Sequence, residues 1–284
     1  MTVTLEGRAD VAPQVPREGH DRKRRPSLTG SGAGRTSFIW TARVVLVVAF
    51  LGLWELAAGR ELVDPTLFGQ PSGIWTALQE YLPSDRAFDS LTATGSAIAI
   101  SFVIGSVAGT IAGLVLGLSR TLDAIVGPFL APINSVPRIA LAPLFIAWFG
   151  LTMTSKVVLA VSIVFFILAE NARSAVRSVD SDLMTMSKVV GLKRWSLLSK
   201  VVLPSAVPTM FAGLRLTFTY SLLGVVASEM IAATSGIGQD IVLFSSSYQI
   251  NTVFAILLEL MAIAVLINWV FAVAERRLLR WQET

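Results

Sequence analysis

Six stretches of this chain are long and apolar enough to cross a lipid bilayer, and that fact constrains everything else. A membrane-spanning helix needs about 20 mainly apolar residues. The sequence supplies them at residues 38–58, 91–118, 122–149, 156–172, 207–232 and 251–274. Only 15% of the chain is charged, against about 25% in soluble globular domains. The deficit is uneven, because residues 1–37 hold 11 of the 42 charged residues. A water-soluble enzyme is excluded, and an all-α polytopic membrane protein with six transmembrane helices is expected. There is no cysteine and a single histidine, His20 in the polar tail. Disulfides, thiolate metal sites and histidine catalysis are therefore not expected, and neither a metal site nor a catalytic residue is assigned.

Lysine and arginine fix the expected direction of the spans. Arg8, Arg17, Arg22, Lys23, Arg24, Arg25 and Arg35 precede the first span. Residues 59–90 carry Arg60 and Arg86 against five acids, whereas residues 119–121 carry Arg120. Arg173, Arg177, Lys188, Lys193, Arg194 and Lys200 follow the fourth span. Residues 233–250 contain Asp240 and no cation, and Arg276, Arg277 and Arg280 close the chain. Basic and non-basic segments alternate as six spans with both termini in the cytoplasm require. Residues 1–37 read as a disordered basic cytoplasmic tail, and residues 38–284 as the transmembrane domain. The Arg24-Arg25 pair suggests an export signal, but the apolar run from Phe38 is too long for a signal-peptide core. It reads instead as an uncleaved anchor whose basic flank meets anionic lipid.

Within the spans, Gly105, Gly109, Gly113 and Gly117 form a four-residue stripe that lets two helix backbones approach closely. The third span contains Pro128, Pro132, Pro137 and Pro143, so it is expected to be kinked or broken. Irregular backbone at membrane depth needs protein or a water-filled cavity around it. Asn134, Ser135 and Arg138 lie among these prolines and are candidates for the cargo pathway; an intramembrane arginine alternatively satisfies freed carbonyls. Glu229 and Glu259 are the remaining pathway candidates, with pairing to a structural partner as the alternative. Arg215 and Glu55 are expected to snorkel to opposite interfaces.

Residues 174–204 are too long and too patterned for a passive turn. Asp180 and Asp182 suit a helix N-terminus. Leu183, Met186 and Val190 follow at helical spacing, and Gly191 is placed to stop a helix. Trp195, Leu198, Val201 and Val202 make a second apolar face, closed by Leu203-Pro204. Two short amphipathic helices joined at a glycine suit docking into a groove on a soluble partner; lying on the bilayer surface is the alternative.

This loop resembles the E-A-A-x3-G-x9-I-x-L-P segment of importer permeases of the ATP-binding-cassette class. Thr185, Met186 and Ser187 stand where E-A-A would be, Gly191 follows at the family spacing, and Val201, Leu203 and Pro204 complete it. VPRIALAPLFIAWFG at 136–150 with Lys156 after it, GLRLTF at 213–218, SEM at 228–230 and SGIG at 235–238 are similar to the nitrate, sulfonate and taurine branch. The resemblance runs from about Trp54 to Trp281. It implies the type I importer permease fold in a bacterial inner membrane, paired with a second copy around a central pathway. It further implies two cytoplasmic ATPase subunits seated on Thr185, Met186, Ser187, Gly191, Leu203 and Pro204, and an extracytoplasmic solute-binding protein. The chain lacks a G-x-x-x-x-G-K-[ST] phosphate loop, so ATP and magnesium are expected on the partner and no cofactor on this chain. Nucleic acid is not an expected partner. The implied cargo is a small anionic solute such as an aliphatic sulfonate, taurine or nitrate, with a thiamine precursor or other heterocycle as the alternative. A competing class is an ion-coupled secondary carrier using Glu229 and Glu259. Against it, no internal repeat is evident. A non-transporting scaffold leaves the broken third span unexplained.

Overall fold

The structure, a computed structural model, describes residues 32–179, 181–192 and 194–278. The expectations for His20, the basic residues before Gly32, Asp180, Lys193 and Arg280 lie outside the described residues, as do the side chains of Leu183, Trp195 and Leu198. The chain divides into two units, residues 1–50 and 51–284. In the first, helix α1 (Gly32–Gly59) begins inside the expected tail and its described side chains up to Phe50 are exposed.

The second unit contains the rest of α1, then α2 (Pro65–Phe68), α3 (Pro71–Tyr81), α4 (Asp85–Leu118), α5 (Arg120–Ser135), a 3-10 turn (Arg138–Leu141), α6 (Ala142–Phe149) and α7 (Met153–Arg177). There follow α8 (Ser181–Val189), α9 (Arg194–Leu197), a π-helical turn (Leu198–Val202), α10 (Leu203–Ala232), α11 (Ile237–Ser246) and α12 (Ile250–Leu278). No strand occurs among the described residues. Five of these helices are long and apolar enough to cross a membrane; α5 with the 3-10 turn and α6 forms a sixth candidate, bent by 82°.

The bundle is built around α7, because the helices on two of its sides present small residues to it. Along α4 the glycine stripe lies directly on α7. A Cβ at Gly105 would come within 2.7 Å of Val164 Cβ, one at Gly113 within 2.7 Å of Ala172 Cβ, and one at Gly117 within 2.7 Å of Val176 Cβ. On α10, Gly213 lies against Leu168 and Asn171, and Gly224 against Ile163 and Ala160. Leu159, Ala160, Val164, Leu168 and Ala172 are consequently buried. Without a hydrophobic drive between helices in lipid, such close backbone contact is what holds spans together. The stripe is thus intramolecular. A second contact joins α4, α10 and α12 through Phe102, Phe218 and Phe271, whose ring centroids are 5.7–5.8 Å apart.

Residues 59–90 fold into more than a connection. Asp64 caps α2 by accepting from the Thr66 hydroxyl at 2.6 Å and the Thr66 amide at 2.8 Å, and these hydrogen bonds, the hydroxyl's first, hold its carboxyl below the ordinary carboxylate range. Helix α3 lies on α12, where the Gln70 amide donates to Asn251 Oδ1 at 3.0 Å and bare Gly73 makes room for the Asn251 amide. Glu55 is engaged here, accepting from the Ser72 amide and hydroxyl at 3.0 and 2.7 Å. Span two starts earlier than its apolar run suggests. Ser84 caps α4 through the Ala87 amide at 3.2 Å, with Asp85 in the first turn.

Two expected boundaries are corrected. Leu203-Pro204 does not close the loop; both open α10, and the apolar helix extends back to Ser199. The reason is local: Pro204 falls where the π-helical turn Leu198–Val202 gives way to α10, so its missing N–H is lost at a change of helical register rather than inside a regular α-helix. At its other end the loop begins after Arg177 rather than at Ser174, because α7 runs on to Arg177.

Candidate functional site

The third span breaks at Val136–Pro137, where Val136 is extended (φ −66°, ψ 125°). Pro128 and Pro132 are accommodated inside α5, and Pro143 sits in the first turn of α6. In an uninterrupted helix the Ile133 carbonyl would accept from residue 137, which as proline has no N–H. Arg138 fills that vacancy. Its Nη2 donates to the Ile133 carbonyl at 3.2 Å and to Asn134 Oδ1 at 3.4 Å, while Nη1 donates to the Ser162 carbonyl on α7. The guanidinium also lies 3.9 Å from the Phe166 ring centroid, a cation–π contact. Arg138 thus satisfies a freed carbonyl, the alternative raised for an intramembrane arginine, and is half-buried. Asn134 is drawn to it directly, and Ser135 ends the helix immediately before the break.

At the end of the bundle away from residues 178–202, Lys156 and Glu229 form a buried ion pair at 3.0 Å, with side chains 7% and 0% exposed. Lys156 also donates to the Ser235 carbonyl at 2.5 Å. Glu229 accepts from the Gly238 amide at 3.0 Å and from Thr94 Oγ1 at 2.9 Å, and Thr94 accepts in turn from the Ile237 amide at 2.8 Å. Three spans and the α10–α11 connection meet at one carboxylate. Gly236 has φ +116°, and a Cβ there would fall on the Glu229 carboxylate, 2.6 Å from Oε2. Only glycine suits both the backbone angle and the space. Both Glu229 oxygens are engaged within the chain.

Next to this pair, Asp240 on α11 is 1% exposed and gathers Arg86 Nε and Tyr81 Oη at 2.8 Å each and Ser90 Oγ at 2.5 Å. Burial raises the Tyr81 phenol above its ordinary value, reinforced by its bond to Asp240 and by the Asp240 and Glu259 charges. A polar cleft of about 360 Å³ opens beside Arg86, Asp89, Thr234 and Gln239. Glu259 on α12 is 9% exposed, and its buried Oε2 makes no hydrogen bond. Arg215, expected to snorkel, pairs with Glu275 on α12.

Lys156, Thr94, Tyr81 and Asp240 had no functional assignment in the sequence. One signal was available: a lysine at the head of an apolar run needs a counter-charge, and few acids lie in the other spans. The partners are 73 residues apart for Lys156 and Glu229, so no local period connects them.

Between α7 and α10 the polypeptide makes two short helices. Helix α8 ends in a Schellman stop: Gly191 has φ +74°, and the Leu192 amide donates to the Ser187 carbonyl at 3.0 Å. A Cβ on Gly191 would meet nothing within 4 Å, so the angle alone selects glycine. Ser187 is buried, Thr185 is exposed, and Met186, Val189 and Val190 are 66%, 82% and 77% exposed. Val202, by contrast, is fully buried in the chain's own bundle. Of the second expected apolar face, the described members Val201 and Val202 are half-buried and buried.

Among the described residues, a helical bundle of apolar spans, one of them broken and fixed by its own arginine, defines a multi-pass membrane protein. Residues 105–280 match the family described as binding-protein-dependent transport system inner membrane component, and the chain belongs to that family. The riboflavin transport system permease protein RibX of Chloroflexus aurantiacus is 35% identical over 86% of this chain and 92% of its own length. A Bacillus subtilis protein named as an aliphatic sulfonates transport permease, SsuC, is 28% identical over 88% of this chain and 91% of its own. The fold is shared with a chain of the MetNI methionine ABC transporter, solved in inward-facing conformations, at a TM-score of 0.56 and 19% identity, covering 67% of this chain and 93% of that one.

Proposed function

We propose that this chain forms the membrane pathway of an ATP-binding-cassette importer and that residues 181–202 seat it on the ATPase. The observation that carries the reading is the loop itself: two short helices, a glycine-fixed stop at Gly191, and Met186, Val189 and Val190 exposed among the described residues. Apolar side chains at i, i+3 and i+4 are what a groove on a partner reads. In this reading Thr185, Ser187, Leu203 and Pro204 also belong to the docking segment. Two ATPase subunits, a second copy of this chain and an extracytoplasmic solute-binding protein complete the assembly, with both termini cytoplasmic as the lysine and arginine distribution supports. ATP and magnesium belong to the ATPase. Co-purification of the tagged chain with an ATPase subunit tests the reading; a chain that purifies without one sinks it.

Gly191→Val forces a β-branched residue into a left-handed backbone position, which costs about 1–2 kcal/mol. ATP-driven uptake is expected to fall about tenfold, the size of a typical coupling between sites, at normal membrane abundance. Wild-type uptake by that variant would end the docking reading.

The cargo is proposed to be a small anionic solute passing the break at Asn134, Ser135 and Arg138, while Glu229 acts as an internal brace and Glu259 remains a pathway candidate. A heterocyclic cargo is the second reading, favoured by the riboflavin permease relative at 35% identity. Calorimetry on the partner binding protein separates the two. Because Arg138 satisfies the Ile133 carbonyl, Arg138→Ala leaves a polar group unpaired at a cost of about 1–3 kcal/mol. Uptake and thermal stability are expected to fall together. Loss of uptake at unchanged stability would instead give Arg138 a direct contact with cargo.

A further inference from the structure

Helix α5 has no buried side chain among those described, so core packing does not hold it to the bundle. Side-chain ties to α7 act at both of its ends. At the break, Arg138 reaches the Ser162 carbonyl and the Phe166 ring. At the other end, Asp123 in the first turn of α5 receives Arg173 Nε on one oxygen and Arg177 Nη2 on the other. Arg173 also donates from Nη1 to both Glu170 oxygens at 3.1 Å. Gly127, one turn beyond Asp123, leaves the notch in which this guanidinium lies, since a Cβ there would come within 2.8 Å of Arg173 Nη2. The polarity suits both helices, because a carboxylate favours the start of α5 and cations favour the end of α7. Asp123 and Arg173 side chains are 12% and 15% exposed, which shields the pair from the screening that weakens surface ion pairs.

Arg177 is the last residue of α7, and α8 begins at Ser181. From Asp123 to the break is about 20 Å of helix. We propose that the Asp123–Arg173–Arg177 clamp is the joint that makes the broken span follow the docking loop, carrying displacement of residues 181–202 along α5 to Arg138. The inference rests on the docking reading of that loop. The three side chains are positioning residues; they act on the pathway through α5 and not by touching cargo.

This chain has no cysteine, so a complete complex in nanodiscs assembled with a cysteine-free variant of its ATPase allows a direct test. Spin labels are placed at Lys200→Cys, an exposed loop position outside the apolar docking surface of Met186, Val189 and Val190, and Leu266→Cys to follow the loop, and at Ile125→Cys and Leu266→Cys to follow α5. Double electron–electron resonance distances are compared between nucleotide-free and ATP-bound, vanadate-trapped complexes. In otherwise wild-type chains both distances are expected to shift. With Asp123→Ala the loop shift persists while the α5 shift falls to less than half. Arg177→Ala, which keeps the better buried Arg173 contact, gives a smaller reduction and serves if Asp123→Ala does not assemble. An α5 shift as large in both variants as in wild type overturns the clamp and leaves docking standing. A loop shift without an α5 shift in wild type also overturns the clamp. If neither distance responds to ATP in wild type, the docking reading falls and the clamp with it.

Discussion

Lys156→Met is expected to destabilise the folded protein by about 3–5 kcal/mol, the usual consequence of leaving one member of a buried ion pair alone. The surroundings make this an unfavourable place to strand a charge. Glu229 is 1% exposed, and among the described residues no second cation bonds to it. The remaining donors are the Thr94 hydroxyl and the Gly238 amide, which are neutral. The Ser235 carbonyl loses its donor at the same time. Thermal unfolding of the detergent-solubilised protein measures the loss. Glu229→Gln in the same chain removes the stranded charge while retaining an acceptor for Thr94 and Gly238, so the double variant is expected to recover most of the stability. A Lys156→Met protein as stable as wild type would mean that the pair is not maintained in the membrane.

Gly113→Leu is expected to cost about 3 kcal/mol or more, at the upper end of what over-packing does. Its Cβ would meet the Ala169 carbonyl oxygen and lie 2.7 Å from Ala172 Cβ. The first of these is backbone and cannot rotate away, so α4 and α7 must separate. The separation would propagate along the stripe, because Gly109 rests on Phe165 backbone in the same manner. Gly95 is the control on the same helix. A Cβ there would meet nothing within 4 Å, so Gly95→Leu is expected to stay within about 0.5 kcal/mol of wild type or gain from the better helix former. Comparing the two midpoints removes any general effect of adding leucine to this span. Equal midpoints would argue against the close α4–α7 contact.

The contrast between these glycines also separates what the sequence made legible from what it did not. A four-residue stripe within an apolar run is a local pattern, and it announced a close helix contact but not the partner. That α7 is the partner depends on Val164, Ala169 and Val176, whose spacing is ordinary for any apolar helix. The broken third span was legible from its prolines, whereas the site of the break was not. Pro128 and Pro132 break local rules as much as Pro137 does, yet the helix passes through them. What differs is tertiary, namely a cation that can reach the orphaned carbonyl and α7 together. The helix stop at Gly191 was legible because a glycine after a periodic apolar run has a local meaning. Leu203-Pro204 was misjudged because proline ends some helices and begins others. The partners of Asp240, Lys156 and Asp123 followed from no local period, since each finds them 50 or more residues away; for Lys156 the sequence signalled only that a counter-charge was needed.

Pro137 and Arg138 also bear on how this sequence can change. Each is a liability by itself: a proline leaves a carbonyl without a donor in a non-aqueous medium, and an arginine brings a cation there. Together the surplus donor of one meets the surplus acceptor of the other across the Arg138–Ile133 contact. Restoring an N–H at position 137 would offer the carbonyl a competing donor and loosen the arginine, while losing the arginine would leave the proline uncompensated. A change at either position alone is expected to cost stability that a matching change at the other recovers.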